Sequence, residues 1–160
     1  MPEVPHPPGE RFLVLINPRA SGGQSPVVMR RRIAAAFAEH DVPFDLVETA
    51  DPADALEIAR AAARKGVRAV VAAGGDGTVA QALRGTAGTE VPVAILPFGT
   101  GNQLANNFDI PASLDGAVRV AVEGRVEQID LCRAGDEVFA LMAGAGFDAE
   151  LIAAATAELK

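Results

Sequence analysis

Five residues, Gly74-Gly75-Asp76-Gly77-Thr78, follow directly on a short apolar run, Ala69 to Ala73, and a helical pattern opens at Thr78. Three glycines at the exit of a strand let the main chain approach a ligand and adopt positive φ, as a phosphate cradle requires. The carboxylate among them is the anomaly. The loop has no lysine of the P-loop kind, and a carboxylate repels a phosphate. Asp76 makes chemical sense if a divalent cation stands between it and the phosphate, or if it takes a proton from an attacking hydroxyl. The plainer alternative is a structural turn with Asp76 as the N-cap of the following helix.

Two other loops have similar chemistry. Gly99-Thr100-Gly101-Asn102 is a second glycine turn at the end of an apolar run. Thr100 can donate its hydroxyl to a phosphate or ribose, and Asn102 can cap the next helix or fix the loop. "NPRASGG", residues 17 to 23, sets Asn17 at a strand end, where it either bonds a nucleotide or braces the neighbouring loop. Arg19 faces the same region and is a better phosphate candidate than the run Arg30-Arg31-Arg32, which reads as a solvated helix face. His6 lies in a proline-rich tail and His40 at a helix end, so neither is placed for catalysis. Cys132 falls in an extended segment and reads as core. No serine–histidine–acid set can be assembled, which sets acyl transfer by a triad aside.

The elements that must position these loops alternate. "RFLVLIN" (11–17), "VPFDLVET" (42–49), the run before Gly74 and "VPVAILPFG" (91–99) read as strands. Between them lie helices over 26–40, with Pro26 in the first turn, and over 51–66, with Asp51 as N-cap, Pro52 at the first position and Gly66 just beyond the end. A third helix follows Thr78. A short helix near 101–107 and another over 113–124 come after the fourth strand. Apolar strands alternating with helices predict an α/β domain with a parallel sheet covered on both faces. Ligands of such sheets bind at the carboxyl ends of the strands, where all these loops emerge. Beyond residue 124 the pattern changes to two extended runs, 125–133 and 137–143, joined around Gly135-Asp136, a hairpin signal. The expected organisation is a flexible tail over 1–10, an α/β domain over 11–124 and the beginning of an antiparallel β domain over 125–160.

Composition narrows the partners. With 160 residues, 49% of them hydrophobic and 22% charged, the chain can bury an ordinary globular core made without Trp or Tyr. A net charge of −7 argues against nucleic acid as a partner. Any phosphate must therefore be held locally, by backbone N–H groups, a few arginines or a metal. A single cysteine excludes an internal disulfide and a multi-cysteine zinc site, and suits a reducing cytoplasm. The start, "MPEVPHPPGE", is not that of a signal peptide, and no apolar run approaches the ~20 residues of a membrane span.

Together, "INPRASGG", "ETADPADALEIA", "AGGDGTV", "ILPFGTGNQLANNFDIP" and "AGAGFDAE" resemble, in order and rough spacing, the diacylglycerol kinase catalytic domain family. That family includes sphingosine and ceramide kinases and bacterial lipid kinases, and the resemblance covers nearly the whole chain from residue 11. It implies a phosphofructokinase-like α/β domain followed by a β-sandwich domain, with ATP in the cleft between them and Mg²⁺ as its cation. It further implies that Asn17, Pro18, Arg19, Ser21, Gly22 and Gly23 line the ATP cleft and that Thr49 contacts the nucleotide. Gly74, Gly75, Asp76, Gly77 and Thr78 would wrap the phosphates, with Asp76 serving Mg²⁺ or catalysis. Gly99, Thr100 and Asn102 would complete the phosphate contacts. The γ-phosphate would pass to a lipid hydroxyl.

The chain departs from the family pattern where Ala80 and Gln81 replace an Asn-Glu pair and where Gln103 replaces an aspartate. Two amides in place of two acids bear on metal binding and substrate choice. The family continues for well over a hundred further residues that carry the lipid pocket. The expectation is thus a piece that binds ATP weakly, leaves membrane contact to a further domain and is inactive alone as a lipid kinase. Such a piece frays after about residue 125 or forms a homo-oligomer through its hairpin edge. Two competing readings are an NAD kinase-like enzyme, which shares "GGDGT" but expects a Leu-Gly-Phe segment after the fourth strand, and a non-catalytic nucleotide-binding module.

Overall fold

Apolar runs rich in Val, Ile and Leu form the parallel strands β1 (Phe12–Ile16), β2 (Phe44–Glu48), β3 (Ala69–Gly74) and β4 (Val93–Pro97). The computed structural model describes residues 9–20, 25–135, 137–141, 144, 146, 149, 150 and 154. The sheet order is β2-β1-β3-β4, with Val14 opposite Leu46 on one side and Val71 on the other. β3 is buried at every position, as its unbroken apolar run requires, whereas β2, at the edge, is fully buried at none. β1, β2 and β4 are shorter than the runs that announced them, whereas β3 extends one residue further, to Gly74.

Helices α1 (Pro26–Ala38), α2 (Pro52–Lys65), α3 (Asp76–Thr86), α4 (Gln103–Asn107) and α5 (Leu114–Glu123) cover both faces. Phe12, Val14 and Ile16 pack with Met29, Ile33 and Phe37 of α1 and with Ala117 and Val118 of α5. Leu15, Val70 and Ala72 point the other way, against Ala55 and Ala59 of α2, Val79 and Ala82 of α3 and Leu104 of α4. The rings of Phe12 and Phe44 lie 5.7 and 5.3 Å from that of Phe37, which is fully buried. Burying such a ring contributes roughly 1.5–3 kcal/mol. The second face is lined by alanines, so α2 and α3 come close. A Cβ at Gly85 would stand 2.6 Å from Ala59 Cβ.

Local signals set the helix ends. Asp54, in the first turn of α2, accepts hydrogen bonds from the N–H groups of Ala50 and Asp51 at 3.1 and 2.9 Å, which is half of a capping box. Gly66 closes α2 with φ +67°. α1 stops at Ala38 rather than His40, because Asp41 turns the chain out of the helix with φ 52°. The helix after β1 lies on one face and those after β2 and β3 on the other, as right-handed crossovers demand when the strand order reverses. The reversal point lies between β1 and β3.

The chain divides into two compact units, Met1–Ile129 and Asp130–Lys160. In the second, β5 (Cys132–Ala134) pairs antiparallel with β6 (Glu137–Phe139), and Gly135 takes φ +61° in the turn. The hairpin is real but much shorter than the expected arms, since residues 125–131 are in no strand. The expectation that Cys132 is core is wrong. All of β5 is exposed, because a hairpin of three-residue strands has too little apolar surface to bury a face. Among the described residues, no helix is long and apolar enough to cross a membrane.

Candidate functional site

Three loops leave the carboxyl edge of the sheet at one height. The Asn17 N–H donates to Ala73 C=O and the Phe98 N–H to Gly74 C=O, each at 3.0 Å, which carries the ladder one step past the strands. At the reversal point the Asn17 side chain donates through Nδ2 to Thr78 Oγ1 at 3.1 Å. Its Oδ1 accepts from the Arg19 N–H at 3.0 Å, within a 3-10 turn over Pro18–Ala20. Both ends of Asn17 are thus engaged within the protein, and it braces the neighbouring loop. Arg19 is exposed beside it. Thr49 is buried next to the end of β1, with its N–H donating to Ile16 C=O at 2.9 Å and its hydroxyl to the same oxygen at 3.4 Å. Ser21, Gly22 and Gly23 lie outside the described residues.

The glycines at the end of β3 do not supply the positive φ expected of them. None of Gly74, Gly75 and Gly77 has positive φ. A Cβ on Gly74 would collide with the buried hydroxyl of Thr78. Gly75 is required by Gly99. A Cβ on Gly99 would stand 2.5 Å from Gly75 Cα, and one on Gly75 would stand 3.3 Å from Gly99 Cα. The two glycine loops therefore meet backbone to backbone, a contact that excludes a side chain at Gly99 and leaves little room for one at Gly75. Gly77 differs from both, since a Cβ there would meet nothing within 4 Å and the residue is exposed. Packing within the protein gives no reason for a glycine in that helical turn, where it costs about 0.5–1 kcal/mol relative to alanine.

Asp76 does not cap its own helix. Gly75 is the N-cap of α3 and Asp76 its first residue. The half-buried Asp76 carboxylate reaches across to α4, where Oδ1 accepts from the Leu104 N–H at 3.3 Å. A Cβ on Gly101 would stand 3.1 Å from Asp76 Oδ2, so that glycine leaves the second oxygen uncrowded. Asn102 sits in the left-handed region with φ 48° and ψ 41° and makes no side-chain cap. Its Oδ1 accepts from the Gly99 N–H at 2.9 Å and its Nδ2 donates to Gly99 C=O at 2.6 Å. It fixes the loop. Thr100 and Gln103 are exposed at the loop surface, and Gln81 is half-buried on α3.

The geometry thus brings Asn17, Thr78, Gly75, Asp76, Gly99 and Asn102 into one connected edge. Sequence reasoning missed Gly101 and the Leu104 N–H. The first could have been found from the doubled glycine in "GTGN", but the second donor is main chain and has no sequence signal. Among the described residues, no group of three or more His, Cys, Asp or Glu could hold a metal ion. One carboxylate beside the first-turn N–H groups of a helix instead suits a cation that arrives with phosphate oxygens, the usual mode of Mg²⁺.

A family model described as the diacylglycerol kinase catalytic domain matches residues 11–134. A diacylglycerol kinase of Mycobacterium tuberculosis is 41% identical over 112 residues, covering 65% of this chain and 36% of that protein. A YegS-like lipid kinase of Enterobacter sp. is 30% identical over 153 residues, or 92% of this chain and 50% of the relative. The chain therefore spans about a third to a half of the length of the curated relatives it matches. A crystal structure of a diacylglycerol kinase from Bacillus anthracis superposes with a TM-score of 0.72 at 24% identity, over 81% of this chain and 45% of that one. At that identity the likeness is one of fold.

Proposed function

The chain belongs to the diacylglycerol kinase catalytic domain family, and on that premise we propose that it is the nucleotide-binding part of an ATP-dependent lipid kinase. The observation that carries this reading is the junction of two glycine loops with Asp76 between them: Gly75 lies against Gly99, and the Asp76 carboxylate bridges to α4. The open face at Gly77 admits the phosphates to the N–H groups of Asp76 and Gly77, which precede the first bonds of α3, since those of Thr78 and Val79 donate to Gly75 C=O. Bound Mg²⁺ supplies the charge neutralisation that lets a carboxylate and a triphosphate share the loop. Asp76 holds the ion through the oxygen that Gly101 leaves uncrowded. Asn17 and Thr78 fix the floor of the cradle, Thr49 shores up the end of β1, and Thr100 adds a hydroxyl from the exposed rim.

The acceptor is a lipid with a free hydroxyl, diacylglycerol-like, presented at a membrane surface. The lipid-phosphorylating activity is proposed for a protein of the relatives' length, and nucleotide binding for the 160-residue chain. A non-catalytic nucleotide-binding role is the second reading, favoured by the amides Gln81 and Gln103, which stand where the family pattern has acids. Transfer of labelled γ-phosphate from ATP to diacylglycerol or sphingosine in mixed micelles separates the two. Phospholipid product that depends on Mg²⁺ supports the kinase. Nucleotide binding without transfer to either lipid supports the module.

A further inference from the structure

We propose that Asn102 is a positioning residue that locks the two glycine loops into one rigid cradle, acting on the phosphate-binding backbone through Gly99 without touching the nucleotide. The proposal rests on the nucleotide reading above and gives Asn102 a role within it. Both functional ends of the Asn102 amide are engaged by one residue: the carboxamide oxygen by the Gly99 N–H at 2.9 Å and the NH₂ by the Gly99 C=O at 2.6 Å. Only a side chain with a donor and an acceptor on one planar group can do this. Aspartate lacks the donor, and alanine lacks both. The backbone asks for the same residue, since φ 48° is a region that asparagine tolerates and most side chains avoid.

What Asn102 holds, Gly99 transmits. Gly99 lies so close to Gly75 that it admits no side chain of its own, and the next residue after Gly75 is Asp76. Asp76 returns the connection to Leu104, two residues beyond Asn102 in the first turn of α4. The path closes on itself through Asn102, Gly99, Gly75, Asp76 and Leu104. A displacement of the 99–102 loop must therefore move the 75–78 loop, and the N–H groups that meet phosphate keep their spacing only while the amide is in place. Asn102 thus acts two contacts away from the ligand.

Asn102→Gly tests this, because glycine keeps the left-handed backbone and removes only the amide. In the ligand-free 160-residue chain, amide hydrogen exchange should quicken by about tenfold or more at Gly99, at Leu104 and also at Thr78 and Val79, and by much less at the β3 amides of Val70–Ala73. The affinity for Mg-ATP should fall about tenfold while that for adenosine stays unchanged, a split that general destabilisation does not produce. Faster exchange confined to Gly99, with Thr78 and Val79 unmoved, would show a local brace and overturn the proposal whether or not nucleotide binds. If exchange quickens in both loops but the wild-type chain binds no Mg-ATP, the coupling stands and the nucleotide reading falls.

Discussion

The Asp76 carboxylate accepts a hydrogen bond at 3.3 Å from the main-chain N–H of Leu104, 28 residues further along the chain. A residue at the start of α3 therefore satisfies a donor in the first turn of α4, and its charge stands between two loops instead of on one helix. Asparagine in its place keeps the accepting oxygen but not the charge. Asp76→Asn should stay folded, within about 0.5 kcal/mol of wild type, and lose at least about tenfold in Mg-ATP affinity. Calorimetric titration alongside thermal melting checks both. Unchanged Mg-ATP binding would make Asp76 a structural strut alone.

Gly77 offers a substitution that separates folding from binding. A Cβ there meets no protein atom within 4 Å, and alanine in a helical turn is favoured over glycine by about 0.5–1 kcal/mol. Gly77→Ala is expected to raise the melting temperature slightly while weakening ATP binding. Gly75→Val is a poorer probe, because its side chain would push against Gly99 and disturb the free protein as well. If Gly77→Ala leaves ATP affinity intact, phosphate does not approach that backbone.

The interface of α2 and α3 makes the opposite prediction. Gly85 stands where a methyl group would lie 2.6 Å from Ala59 Cβ and 2.7 Å from the Leu56 carbonyl oxygen. Gly85→Ala should cost about 1–3 kcal/mol by overpacking, in spite of alanine's better helix propensity. A lower midpoint in urea at an unchanged m-value is the expected signature. A stabilised variant would mean that the two helices can part at no cost.

Exchange should also report the difference between the two units. β3 is buried at all six positions, whereas β5 is exposed throughout and, among the described residues, pairs with the three-residue β6. Amides of Cys132–Ala134 should exchange orders of magnitude faster than those of Val70–Ala73. Strong protection of β5, together with a doubled mass in sedimentation velocity, would instead mean that its edge pairs with a second copy.

The parallel sheet was legible because β1, β3 and β4 are short apolar runs, each followed by a glycine or asparagine turn and then by a helix. Pro52 and Gly66 marked α2 almost to the residue, since each acts through its own backbone. The hairpin was legible in kind but not in extent. Val126, Ile129 and Leu131 look like strand residues, yet pairing and not composition determines where β5 begins. At the site, the loops could be found but not their reasons. The Gly75–Gly99 contact joins residues 24 positions apart with no side chain to announce it, so local reading assigned Gly75 a positive φ that it does not have. The Asp76 bond to Leu104 was hidden in the same way, because its donor is main chain.

The most direct test of a cradle built for a cation-bound triphosphate is calorimetric titration of ATP into the 160-residue chain, with Mg²⁺ and then with the ion removed by EDTA. Saturable binding at one site is expected with Mg²⁺, weakening by at least about tenfold without it. Equal affinity in the two buffers, or no binding in either, would contradict the account.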